Sequence, residues 1–93
     1  MPILTAEGKS KRYVCLSETG VHIKSNGLTG TAVIECFDGE TSMGNLKDET
    51  GTDYSFTADF DGLYQFRSSD IFQIVQTGGT PTTTRITVGG AKS

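Results

Sequence analysis

The sequence predicts an all-β protein, an antiparallel β-sandwich or jelly-roll-like barrel of about seven or eight short strands. Glycine is abundant with 12 residues, and threonine and serine are frequent, whereas alanine and leucine are few. This composition disfavours helices. Short runs of alternating apolar and polar residues are separated by glycine-containing turn pairs at hairpin spacing, as is typical of antiparallel strands. The chain of 93 residues supports one domain with a modest core.

Residues 1–11 show no periodicity and contain Pro2, Gly8 and Ser10, so they are predicted to form an N-terminal arm. Ile3 and Leu4 near its tip are candidates for packing on a neighbouring subunit. A frayed end is the alternative. The β-sandwich domain is predicted over residues 12–88, with a C-terminal tail over residues 89–93.

The first strands are predicted in "RYVCL" and "VHIK", which the turn-like "SETG" joins as a hairpin. "TAVIECF" follows the Asn26-Gly27 turn and is apolar on both faces, as a central strand would be. Residues 38–53 are weakly patterned and leave room for at most one short edge strand. Met43 and Leu46 are the isolated apolar residues of this region.

The clearest alternation runs from Tyr54 to Phe60, and Asp61-Gly62 is predicted to turn the chain after it. "LYQFRS" then places Tyr64 and Phe66 on one face, and "DIFQIVQ" places Phe72 and Ile74 on the face opposite to Ile71, Gln73 and Val75. "TTTRITVGG" is the predicted closing strand. "DFDGLYQF" resembles the immunoglobulin-type tyrosine corner, which has an Asp-x-Gly-x-Tyr turn, but lacks its disulfide. Gly62, Tyr64, Phe56 and Phe66 are therefore expected to matter for folding.

Charge and termini restrict the function classes. The net charge of -3 with interspersed signs provides no basic field for nucleic acid and no polybasic tract for a membrane. The N-terminus lacks a signal-peptide h-region, so a protein made in the cytoplasm is expected. Cys15 and Cys36 are expected to be free buried thiols, with a disulfide or a metal pair as the alternatives.

No catalytic, cofactor or metal site is predicted. The acidic residues Asp48, Glu49, Asp53, Asp59 and Asp61 lack the ligand spacing of a calcium loop. His22 is the only histidine, and no nucleophile motif accompanies it. The eight aromatic residues include no tryptophan, and their alternation places most of them in the core instead of on a sugar-stacking platform.

The succession "GTAVIEC", "FTADFDGLYQFRSSDIFQIVQTGG" and "TTRITVGG" resembles the small all-β accessory proteins of tailed-bacteriophage virions, in particular head decoration or cement proteins. The resemblance covers about two thirds of the chain and is one of pattern: a "GTA-V" strand, a "DG-Y-F" corner, a "TGG" turn and a Thr-rich closing strand.

The resemblance implies a non-enzymatic virion protein, assembled in the host cytoplasm, that forms a homo-oligomer (commonly a homotrimer) and binds the major capsid protein to reinforce the head. Neither nucleic acid, membrane nor cofactor is expected as a partner. The interface candidates are Ile3, Leu4, Met43 and Leu46. The alternative function is a carbohydrate- or surface-binding β-module of a phage tail or an adhesin.

Overall fold

The computed structural model describes Leu4, residues 7–16 and residues 20–92. Nine strands and one 3₁₀ helix lie in this part of the chain. They are β1 (Tyr13–Cys15), β2 (Val21–Asn26), β3 (Thr31–Asp38), β4 (Thr41–Asn45), β5 (Ser55–Phe56), β6 (Asp61–Tyr64), β7 (Ile71–Thr77), the 3₁₀ helix (Pro81–Thr83), β8 (Arg85–Gly89) and β9 (Ala91–Lys92).

The strands form two sheets in which every pairing is antiparallel. The larger sheet has the order β4-β3-β7-β1-β9, and β5 also pairs with β3 on the side away from β7. The smaller sheet has the order β6-β2-β8. The predicted all-β antiparallel class is confirmed, and the pairing is that of an open sandwich instead of a closed barrel.

The core lies between the sheets and follows the period-two alternation of the strands. The smaller sheet supplies Val21, Ile23 and Ile86, and the larger sheet supplies Ile34, Phe72 and Ile74; all six are fully buried. β3 is a central strand, as its two-faced apolar pattern predicts, because β7 pairs along its length and β4 and β5 share its other side.

Two predicted strand arrangements are wrong. β1 and β2 do not form a hairpin, since β1 pairs with β7 and β9 in the larger sheet and β2 pairs with β6 and β8 in the smaller one. The continuous strand predicted from Tyr54 to Phe60 is limited to Ser55–Phe56. The chain then bends, and the Phe60 N–H donates to Ser25 Oγ at 2.9 Å.

Both ends of the chain contribute to the sandwich. Leu4 is buried in the core and its N–H donates to the Thr84 carbonyl at 3.2 Å. The Gly8 carbonyl accepts from the Gln76 N–H at 2.6 Å, and the Ser10 N–H donates to the Ile74 carbonyl at 2.9 Å. β9 pairs with β1, although a C-terminal tail is predicted there. The segment expected to be an arm therefore runs alongside β7 from Gly8 to Ser10.

Asp61 and Gly62, predicted as a turn, begin β6 instead. The register pairs Gly62 with Ile23 of β2. The residues expected to matter for folding lie close together: Tyr64 and Phe66 are buried, and the half-buried Phe56 packs against the core.

Candidate functional site

A β-bulge in β4 directs Met43 away from the sheet. The register pairs Cys36 with Gly44 and Phe37 with Ser42, so Met43 is an extra residue on the β4 side. Gly44 has φ +88° and open space where a Cβ would be, so the left-handed backbone conformation, and not crowding, favours glycine there. Bulges re-aim side chains at sheet edges, and Met43 is 65% exposed.

Met43 borders a groove at the end of the sandwich with a volume of about 380 Å³. Leu46, Phe37, Phe66 and Ile71 contribute its other large apolar side chains. Leu46 is held in place by its backbone, because its N–H donates to the Ile34 carbonyl at 2.7 Å and its carbonyl accepts from the Tyr54 N–H at 3.0 Å. The structure thus brings together two of the four interface candidates, Met43 and Leu46.

Leu4, the described candidate of the N-terminal segment, does not line this groove. Leu4 belongs to the chain's own core, where it is 3% exposed. Its side chain is therefore used within the subunit and does not present an apolar tip to a neighbour. Ile3 lies outside the described residues.

The outer face of the larger sheet carries partly buried apolar side chains. Val33 faces Val75 across the strands, and Phe37 faces Ile71, which also pairs with Val14. The Arg12 guanidinium carbon lies 4.2 Å from the centroid of the Phe37 ring, a cation–π contact. This face therefore combines apolar surface with a fixed cation.

Charge is distributed unevenly between the edges of this sheet. Residues 38–53 contain five acidic residues and a single lysine, and they include β4 and the loop to β5, which lie at one edge. Lys11 and Lys92 are exposed at the other edge, near β1 and β9, whereas the Arg12 guanidinium reaches across to Phe37 of β3. One edge is accordingly acidic and the other basic.

Sequence reasoning missed the residues of the basic edge. Val14 and Leu16 are 39% and 60% exposed, whereas Tyr13 and Cys15, which alternate with them along the chain, are buried. The residue positions within "RYVCL" indicate this difference, because alternate residues of a strand point to opposite faces. Val14 and Leu16 belong to one face, and Tyr13 and Cys15 belong to the other.

The carboxylates considered as cation ligands have separate local partners. Asp48 accepts from Thr50 and Thr52, and Asp53 accepts from Lys47 and Asn45. The Thr50 hydroxyl is the main cause of the lowered Asp48 pKa, and the Lys47 ammonium is the main cause of the lowered Asp53 pKa. Among Leu4, residues 7–16 and residues 20–92, no three His, Cys, Asp or Glu side chains converge as a metal site would need.

Asp59 fastens the end of β2 to the chain before β6. Its carboxylate accepts from the Leu28 N–H at 2.8 Å and from the Gly27 N–H at 3.2 Å. The Leu28 hydrogen bond is the largest cause of the lowered Asp59 pKa. Asp59 therefore has a structural role in this turn.

His22 Nε2 is hydrogen-bonded to the Asp61 carboxylate on the outer face of the smaller sheet. Both side chains are about half exposed, at 51% and 56%. The cross-strand neighbours of His22 are Leu63 and Gly89, neither of which carries a nucleophile. The pair holds β2 to β6 at the surface.

Four of the eight aromatic side chains are buried, and most of the rings pack in two groups. Tyr13, Phe66 and Phe72 form one group, with Phe72 at 4.7 Å from Phe66 and 5.4 Å from Tyr13 between centroids. A second group packs at the core margin and contains Tyr54, Phe56, Phe60 and Tyr64. The described chain therefore does not present these rings as a row for stacking sugars.

Cys15 and Cys36 are free thiols in the structure. Burial, with a smaller contribution from Asp70, raises the pKa of Cys15 to about 11 and also raises the pKa of Cys36. A protonated thiol is a poor nucleophile. Cys15 is buried as expected, whereas Cys36 is only partly buried.

Family models, curated proteins and solved structures were compared with this chain, and none matches it. The described residues include no helix with the length and apolar character needed to cross a membrane. The geometry of the larger sheet is thus the basis for a functional proposal.

Proposed function

We propose that this chain is a non-enzymatic structural protein of a tailed-phage virion, a capsid decoration or cement protein that reinforces the head. It acts by non-covalent contacts with the major capsid protein and with its own copies. The sequence pattern supports this proposal, since it resembles that protein class along about two thirds of the chain.

The observation that supports the proposal is the exposed apolar surface at the β4 edge. The bulge exposes Met43 beside the apolar groove, and Asp38 and Glu40 add charge to the same edge. Apolar side chains with a polar rim are what a protein-binding surface needs. An edge strand can also add backbone hydrogen bonds to a neighbouring sheet.

The fold suits repeated attachment. The Cα radius of gyration is 12.1 Å, so many copies fit on a shell, and each needs only a modest interface because the contributions of many copies add. A small β-sandwich that binds in this way adds cohesion to the shell without chemical change.

The test is to purify virus particles from cells of the organism that encodes the chain and to locate the protein by immunogold electron microscopy. Gold on the head, together with DNA release at lower temperature from particles that lack the protein, is the expected result. Gold on tail fibres, or a protein that is absent from particles but binds a glycan array, would favour the surface-binding alternative.

A matched pair of variants tests the surface itself. Met43 is 65% exposed at the larger sheet's edge, whereas Thr87 is exposed on β8, which lies at the opposite edge of the smaller sheet from β6. Met43→Asp should reduce binding to particles that lack the protein, and Thr87→Asp should leave it unchanged. Equal effects of both substitutions would contradict the assignment of the β4 edge.

A further inference from the structure

The two edges of the larger sheet offer complementary chemistry on a single molecule. β4 is the last strand on one side and β9 is the last on the other. The β4 edge has the exposed Met43, and the β1/β9 edge has the exposed Val14 and Leu16. Three of the four exposed large apolar side chains in the described chain therefore lie at these two edges.

The charges of the two edges are opposite. Asp38 ends β3 and Glu40 lies in the turn to β4, and both are exposed; the acidic loop 46–54 extends the same edge. Lys92 faces Val14 across the β9–β1 pairing, and Lys11 is exposed nearby. Each edge thus combines an exposed apolar side chain with charge that is mainly of one sign.

The charged edges are too far apart to neutralise each other within a subunit. Three strands separate β4 from β9, which at about 4.8 Å per strand step places the edges roughly 19 Å apart. Exposed charges at that separation are largely screened at physiological salt, where the Debye length is about 8 Å. When the acidic edge of one copy meets the basic edge of another copy, the opposite charges lie close together and attract each other.

We propose that a second copy of this chain binds head to tail, with the acidic β4 edge of one copy against the basic β1/β9 edge of the next. The inference rests on the proposed function, because a cement protein needs contacts between its copies. A head-to-tail contact uses two different patches of each subunit, so its repetition forms a closed ring or an open chain.

The test uses charge reversal and its rescue in the full chain. Glu40→Lys and Lys92→Glu each place like charges together and should weaken self-association about tenfold or more. The double variant Glu40→Lys/Lys92→Glu restores opposite charges at every contact and should recover association close to that of the unchanged protein. Arg85→Glu reverses an exposed charge on the smaller sheet and is the matched control with no expected effect.

Sedimentation velocity and light scattering over a range of concentrations give the readout, and circular dichroism checks the fold of each variant. Association of the unchanged protein should weaken as salt rises from about 20 to 500 mM, since screening increases. This measurement tests the contact even if a variant misfolds. A monomer at all concentrations would overturn the inference, as would an oligomer that is insensitive to salt and to both reversals.

These outcomes separate the inference from the proposed function. A salt-insensitive oligomer that still binds the phage head would refute the edge contact alone. A charge-dependent oligomer that is absent from virus particles would support the edge contact and refute the decoration role.

Discussion

The ring of Tyr64 covers Gly62, so that a Cβ at position 62 would lie 2.7 Å from the Tyr64 hydroxyl oxygen and 3.0 Å from Cζ. Real Cβ atoms do not approach other atoms so closely. Burial is the main cause of the raised Tyr64 pKa, and Tyr54 and Asp61 add to it. The Asp61-Gly62-Leu63-Tyr64 sequence therefore encodes a packing requirement within β6.

Gly62→Ala should lower the free energy of unfolding by about 1–3 kcal/mol, because the added methyl group overlaps the Tyr64 ring. Urea unfolding measures the change. Gly89→Ala is the matched control, since a Cβ there meets only His22 Cβ at an ordinary 3.9 Å. Tyr64→Phe removes the closest oxygen and should recover part of the loss in the double variant; strictly additive effects would contradict the proposed overlap.

Phe72→Ala should lower the free energy of unfolding by about 3–5 kcal/mol, because the ring is fully buried and its loss leaves a cavity. Thermal or urea unfolding provides the measurement. Phe56→Ala removes the same atoms from a half-buried site, so it should lower the free energy of unfolding by less than Phe72→Ala does. A larger effect at Phe56 than at Phe72 would show that the main core has been assigned to the wrong group of rings.

Leu4→Ala should lower the free energy of unfolding by about 2–5 kcal/mol, because Leu4 fills a core site. Deletion of residues 2–11 should lower the free energy of unfolding more than Leu4→Ala does, since it also removes the backbone hydrogen bonds of Gly8 and Ser10 to β7. Met43→Ala, at an exposed site, should have little effect on unfolding. A truncated chain with an unchanged melting temperature would show that the segment is an independent arm.

The Asp59 carboxylate should make stability depend on acid pH. Its pKa is lowered in the folded chain, chiefly by the Leu28 N–H, so its stabilisation is present above the unfolded-state pKa and is lost as pH falls through the folded-state pKa. Asp59→Asn should lower stability at pH 7 and reduce its fall between about pH 5 and pH 2. Identical pH profiles for the variant and the unchanged protein would contradict this role.

The thiols should react slowly in the folded protein. With a pKa of about 11, Cys15 is almost entirely protonated at pH 8, and its side chain is buried. Labelling with a chromogenic disulfide should be slow until the chain unfolds, and then two thiols should react. Cys15→Ser and Cys36→Ser assign the phases, and rapid labelling of Cys15 in the folded state would contradict its burial.

The sequence by itself determined the all-β class, the central position of β3 and the single edge strand within residues 38–53. It also separated the two faces of β7 and of β8. Period-two alternation encodes these faces directly, because successive side chains of a strand point to opposite sides. β7 is apolar on both faces, so only the structure decided that Phe72 and Ile74 point inward.

Only the tertiary structure decided which strands pair and what the edges present. A turn signal such as "SETG" is equally compatible with a hairpin and with a passage between sheets, and the partners of β3 and β7 are distant in sequence. The bulge at Met43, the burial of Leu4 and the separation of acidic from basic edges depend on those non-local pairings. For this reason the candidate surface emerged from the sheet order and could not be derived from the charge pattern alone.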